Sequence, residues 1–246
     1  MPDSAPAPAS EPTVYRDNAI ERSFIALFSY AIARNIGVKH YKPGYDGFVD
    51  LSKKIVRGRT AAEQQAVVGK VLRSLVPAPV LWFIRTAFSP TQLVCELNAW
   101  FATKMFVWLV GACEVKTTIV TDETGETREQ ASCVKIKKCR YLEASHCVGA
   151  CVNICKVPTQ EFFTQEFGIP VTMTPNFEDY SCEMVFGQMA TPIEDDASIQ
   201  NQPCLIDQCS MAVATLETCP SLSDSPRPPV QNSTTPGPSQ RQHGRP

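Results

Sequence analysis

The chain has 246 residues, 43% of them hydrophobic, and a formal net charge of −2 at pH 7. That is enough to bury one good-sized core, with a smaller Cys-rich lobe beside it, once polar tails are set aside. The near-neutral balance gives no electrostatic reason to expect a nucleic-acid partner, and Lys135, Lys137, Lys138 and Arg140 read as a solvated strand face.

Residues 1–13 form a Pro/Ala/Ser tail with Asp3 and Glu11. They lack the apolar run of a secretory signal, and no transit peptide is visible. Asn18 with Glu21 three residues on forms a capping arrangement, and Phe24, Leu27, Phe28, Ala31 and Ile32 keep helical spacing until Gly37. Tyr41 to Asp50, with Pro43, Gly44 and Gly47, reads as a turn-rich link into a short helix at Leu51 to Val56. Thr60 and Glu63 make a capping box for a helix that Pro77 stops. A short helix follows over Val80 to Phe88, and Ser89-Pro90 is expected to open a long one reaching about Val110. Met105 to Cys113, the longest apolar stretch, falls well short of the roughly twenty residues that span a bilayer.

Val115 to Val120 and Ala131 to Lys137 flank the polar turn Asp122-Glu123-Thr124-Gly125 as a hairpin. Tyr141 to Cys155 is expected to be helical, Thr159 to cap a short helix ending at Gly168, and Cys182, Met184 and Phe186 to share one strand face. The fold class is therefore α+β: a helical N-terminal part (14–112), then a β-hairpin and a Cys-rich, metal-binding C-terminal domain (113–219). Residues 220–246 form a second polar tail, expected with the first to be disordered.

Nine of the eleven cysteines lie between Cys133 and Cys219, a density that calls for a metal or disulfide explanation. An odd number of cysteines with no visible export signal fits reduced thiols in a cytosol or stroma. Cys147, Cys151 and Cys155 recur at intervals of four. On one continuous helix they would line one face, neighbours about 6 Å apart along the axis and the outer pair about 12 Å. Sulfurs on one tetrahedral ion lie within about 4 Å of each other, so a single ion cannot use all three. Either the helix is broken at Gly149 or Asn153, or one adjacent pair ligates and the third cysteine packs. Cys182, Cys204 and Cys139 are the nearest further donors, with Cys209 behind them, and His146 offers a nitrogen. By spacing alone two other readings stay open: a small-residue stripe for close helix packing, and a redox-sensing or structural disulfide.

The ordered run Cys139-Arg140-Tyr141-Leu142-Glu143, Cys147, Cys151, Asn153, Cys155-Lys156, Pro158-Thr159-Gln160, Phe162-Phe163, Pro175-Asn176-Phe177-Glu178-Asp179, Ser181-Cys182-Glu183-Met184 and Phe186-Gly187 resembles the C-terminal domain of the plant and algal beta-carotene isomerases, the Dwarf twenty-seven family. Weaker similarity extends upstream through Gly44 to Asp50 and Val71 to Arg85. The resemblance implies an iron-dependent, plastid-located enzyme that interconverts all-trans and 9-cis beta-carotene, the entry to strigolactones. It implies a carotenoid substrate, an electron donor as partner and peripheral contact with a thylakoid or envelope membrane.

The expected cofactor is iron, mononuclear or in an iron–sulfur cluster, on Cys147, Cys151, Cys155 and Cys182. No catalytic residue is assigned. Rotation about a polyene double bond requires its π order to fall transiently, which iron can bring about by electron transfer and zinc, having no redox chemistry, cannot. An apolar substrate needs an apolar cleft, for which Trp82, Phe83, Trp100, Phe101, Phe106 and Trp108 are the candidates, most of them expected to be ordinary core. Glu143, Glu178 and Asp179 are expected to serve caps and turns before acid–base work. The alternatives are a zinc- or thiol-stabilised interaction module and an iron–sulfur electron carrier.

Overall fold

Caps decide where the N-terminal helices begin. Asn18 accepts from the backbone N–H groups of Ile20 and Glu21, while Glu21 reaches back to the Asn18 N–H, opening α1 (Ala19–Ile36) ahead of Gly37. Thr60 and Glu63 do the same for α3 (Ala61–Leu75). The computed structural model describes residues 13–121, 125–200 and 202.

Between these helices the structure departs from expectation. Instead of a turn-rich link and a short helix, Gly44–Val56 is one helix, α2, with Pro43 at its N-cap. Pro43 starts the helix, because its fixed φ suits the first turn and its missing N–H costs nothing there. Gly47 is required by crowding: a Cβ would lie 1.7 Å from the Lys42 carbonyl oxygen. The helix is held by burial of Tyr45, Phe48, Val49 and Leu51, with Phe48 edge-on to both Trp108 and Tyr141, which outweighs glycine's poor helix propensity.

After α4 (Ala78–Ala87), the cap is Thr91, not Ser89: its hydroxyl accepts from Val94 N–H to open α5 (Gln92–Met105). The long helix expected to Val110 is interrupted at Phe106 and resumes as the single turn α6 (Val107–Val110). The break swings Trp108 into the core, where it meets Phe24, Phe28 and Phe48.

The hairpin forms as expected, as β1 (Cys113–Thr121) and β2 (Thr127–Ile136). Two later strands, β3 (Val171–Pro175) and β4 (Cys182–Phe186), complete an antiparallel sheet in the order β1-β2-β4-β3. The alternation of Cys182, Met184 and Phe186 is borne out, with all three buried. Register sets Cys182 between Ile136 on one side and Pro175 on the other. Buried Cys95, Ala99 and Ala102 of α5 pack that helix on β2.

The segment between the hairpin and β3 is helical but irregular. It runs as α7 (Arg140–Ser145), α8 (Val148–Ala150), a π-helical stretch Cys151–Lys156, α9 (Val157–Phe162) and a second π stretch Phe163–Phe167. Thr159 lies inside this run rather than capping it, and Gly168 ends it as expected. The first π stretch has a cause in sequence. Pro158 has no N–H for the Ile154 carbonyl and its ring crowds that group, and the turn ahead widens so that the Val157 N–H bonds the Val152 carbonyl, five residues back.

Candidate functional site

The three evenly spaced cysteines do not line one helix face. The chain leaves α7 at His146, which is left-handed (φ 47°), and Cys147 is extended. The break falls ahead of both Gly149 and Asn153, where it was expected, and neither glycine nor proline marks it. Cys147 becomes the N-cap of α8, its Sγ accepting from the Ala150 N–H at 3.4 Å. Cys151 and Cys155 then fall in the widened π turns, so their spacing of four no longer means one face.

What the fold assembles is a buried thiol group that Cys139 joins. Cys139 stands at the N-cap of α7, its backbone N–H donating to the Tyr180 carbonyl at 2.7 Å. Cys182 opens β4 beside it. Burial pushes the Cys151 and Cys182 thiols well above the usual range; Cys139 and Cys155 add to the rise in both, and Lys156 opposes it. Cys155 is raised to about 12 by burial and then by Cys139. Cys139 is itself raised by burial, against hydrogen bonds from the Leu142 and Tyr141 N–H groups. Of the four expected donors, Cys151, Cys155 and Cys182 share an electrostatic neighbourhood that Cys139 joins, and Cys147 acts together with Cys151 and Cys155 on the buried Tyr141 hydroxyl. Cys139 was legible only as a further donor, because its placement depends on how the β2–α7 link meets Tyr180.

Among the described residues, no three His, Cys, Asp or Glu side chains are gathered so as to hold an ion, and the eight cysteines are all thiols. Soft sulfur donors suit iron, but as placed they do not converge on one point. Cys204, Cys209 and Cys219 lie outside the described residues. His146 is turned toward Tyr180, ring centroids 6.4 Å apart, and its Nδ1 is buried with no hydrogen-bond partner.

Beside the thiols lies an apolar cavity of about 70 Å³ between α1, α2, α3 and the π stretch, lined by Phe28, Phe48, Ile55 and Val71 with Tyr141 and Cys155. The Tyr141 hydroxyl donates to Ser52 Oγ at 2.9 Å, fixing the ring. The expected aromatic cleft is not what the helical half builds: Phe106 and Trp108 turn inward, but Trp82, Phe83, Trp100 and Phe101 are exposed.

Polar groups that sequence reading passed over surround the site. Lys156, 2% exposed, pairs with Asp196 at 2.6 Å and donates to the Met173 carbonyl. Gln160, one turn on, accepts from the Met173 N–H. Together they satisfy the outer backbone of edge strand β3. Asn153 bridges Gln64 and Gln65 of α3. Arg140 forms a two-armed pair with Asp17 (2.5 and 2.9 Å) and lies 3.6 Å over the Tyr45 ring. Glu143 accepts from the Thr13 N–H and the Tyr15 hydroxyl, both at 3.0 Å, and Asp179 from the Ser181 N–H. Asp179 thus serves the turn expected of it, whereas Glu143 anchors a distant segment rather than a cap or turn.

Residues 108–195, which hold all these thiols, match the family model described as Beta-carotene isomerase D27-like, C-terminal. Over 191 residues the chain is 37% identical to the chloroplastic beta-carotene isomerase D27 of Medicago truncatula, covering 78% of this chain and 73% of that protein. The chain belongs to the beta-carotene isomerase D27 family. The Arabidopsis thaliana relative of the same name is 41% identical over 160 residues, which are 65% of this chain and 58% of that one. No solved structure matches the chain. Within the D27 family, the matched region thus contains the thiol group, Lys156 and the sheet that carries Cys182.

Proposed function

We propose that this protein is a chloroplast carotenoid cis/trans isomerase that interconverts all-trans and 9-cis beta-carotene, feeding strigolactone-type apocarotenoids. The observation that carries the reading is the buried thiol group opening, at Cys155, onto an apolar cavity in a chain of the D27 family. Cys155, Tyr141 and Thr159 are where polar side chains meet that cavity, and the rest of its lining is aliphatic and aromatic. At about 70 Å³ the cavity is smaller than the roughly 300 Å³ at which ligand pockets begin, so α1 and α3 must part to admit a C40 polyene.

The proposal includes iron and an electron donor as the resemblance brings them, with Cys147, Cys151, Cys155 and Cys182 as the source of thiolates. Because the described donors do not converge, the reaction is argued only from the chain's own groups. The raised thiol pKa values keep the group protonated at neutral pH, so any ligation would release protons. Metal content and visible absorption of anaerobically purified, iron-supplemented protein test this part. Stoichiometric zinc without iron would favour an interaction module instead.

The activity test is direct. Purified protein given all-trans beta-carotene in detergent should form the 9-cis isomer and also run the reverse reaction, since a catalyst with no net redox change only approaches the equilibrium ratio. Cys151→Ser should abolish turnover while leaving helical content intact, and Cys113→Ser should not. If protein with full metal content leaves every carotene isomer unchanged under both aerobic and reducing conditions, the proposal fails.

A further inference from the structure

Within α4, α5 and the link between them, eight large apolar side chains point into solvent: Val80, Trp82, Phe83, Phe88, Leu93, Leu97, Trp100 and Phe101. On α5 the pattern is periodic. Leu93, Leu97, Trp100 and Phe101 form an outer stripe, opposite the buried Cys95, Ala99 and Ala102 that pack on β2. The helix is therefore apolar on both faces, and the sheet accounts for only one. Exposed apolar patches of this kind mark interaction surfaces.

We propose that the α4–α5 face docks on a lipid bilayer, lying in the plane of its headgroup–acyl boundary. Three observations choose lipid over a protein partner. The first is tryptophan placement. Of the three tryptophans, Trp108 is 1% exposed, while Trp82 on α4 and Trp100 on α5 are 69% and 55% exposed. An exposed indole with a free-standing N–H suits a boundary where ester carbonyls and water are always at hand, whereas a dry protein interface must supply an acceptor for each ring.

The second is charge. From Gln64 to Cys113 there are four bases against the single acid Glu96; Arg73 pairs with Glu166 and Arg85 donates to the Gln165 carbonyl, which leaves Lys70 and Lys104. Glu96 is turned away, accepting from Gln92 and the Ala131 N–H, while Lys70 and Lys104 are exposed. Exposed Lys104 on α5 itself and Lys70 on α3, with no acid facing outward from α4 or α5, complement an anionic lipid surface.

The third is length. No single described helix is long and apolar enough to cross a membrane; α3 and α4 pass only as a pair, and they meet at an 88° bend. Since α3 commits its other face to α1 and α9, the available geometry is attachment in the plane. The inference deepens the isomerase reading and rests on it for its purpose: a C40 hydrocarbon resides in lipid, and a docked enzyme can draw it directly into the helical half.

Flotation of the full chain with carotene-free vesicles tests docking without reference to catalysis. Phosphatidylcholine vesicles should retain the protein weakly, and vesicles mixed with phosphatidylglycerol more strongly. The fourfold variant Trp82→Ser, Leu93→Ser, Leu97→Ser, Trp100→Ser should stay in the aqueous layer, with circular dichroism reporting that it is folded. Lys70→Glu with Lys104→Glu leaves the apolar stripe whole and should weaken binding to the anionic vesicles by at least about thirtyfold. Wild-type protein that floats with neither vesicle overturns the inference. So does a stable dimer in solution that the four serine substitutions make monomeric, since a second copy then covers the face. If vesicle binding holds while carotene is never isomerised, the docking surface stands and the isomerase reading is what fails.

Discussion

Gly187 shows what one residue can be asked to do. Its φ of 89° is in the left-handed region, and a Cβ there would come within 2.9 Å of Gln130 Nε2 and 3.0 Å of Cys95 Sγ. Gly187→Ala should therefore cost about 2 kcal/mol, adding a clash to the backbone strain. Gly125→Ala, at φ 83° but with nothing within 4 Å of the added carbon, should cost about 1 kcal/mol; denaturant melts of the two variants make the comparison. Cys95 was legible as lying outside the cysteine run. That it packs against the Phe-Gly step of β4 was not, because the contact joins α5 to a strand more than ninety residues away. Arg140 is similar: its place in a motif is visible, but its pair with Asp17 depends on residues 13–17 folding back over α7.

At the scale of elements, the irregular helix between Cys139 and Gly168 is the feature most tied to the site. Pro158→Ala restores an N–H opposite the Ile154 carbonyl and should let the π turn relax toward α. Stability should hold or rise by up to about 1 kcal/mol, while isomerase turnover falls because Cys155 rotates away from the cavity; chromatography of carotene isomers beside a thermal melt separates the two effects. The ion pair that ties this helix to the segment after β4 is the second test. Asp196→Asn leaves the Lys156 ammonium buried without its counter-charge and should destabilise by about 3 kcal/mol. Adding Lys156→Met to that variant should recover part of the loss, as a double-mutant cycle would show. Capping boxes made α1 and α3 readable; α2 was hidden by its Pro and two Gly, and the stop at Phe106 by an unbroken apolar run.

For the whole molecule, the acid limb of stability follows from carboxylates that hold distant segments together. Asp196 lies below its usual 3.8: burial would raise it, but hydrogen bonds from Lys156 and Ser198 outweigh that. Glu143 lies below 4.5 because Lys138, the Thr13 N–H and the Tyr15 hydroxyl overcome the same burial effect. Folded values below the unfolded ones mean stability that is fully present above about pH 4.5 and is lost as pH falls through the folded values. Unfolding midpoints measured downward from pH 6 should drop in that window, and Glu143→Gln should flatten the fall. A midpoint independent of pH down to 3 would remove the role given to these groups.

The sequence by itself determined the α+β class, the hairpin, the capped helices and the family, because each of these is written in local patterns or in an ordered run of motif residues. It also marked the cysteines as the candidate site, since their density needs no fold to be seen. Only the tertiary structure decided how the thiols are disposed: Cys139 joins the neighbourhood of Cys151, Cys155 and Cys182, and Cys147 caps a helix while acting with Cys151 and Cys155 on Tyr141. The reason is that spacing fixes a face only on a regular helix, and this one is broken at His146 and widened ahead of Pro158. Which aromatics are core and which face outward was likewise settled by packing, since Trp82, Trp100 and Trp108 look alike in sequence until the sheet claims one face of α5 and leaves the other bare.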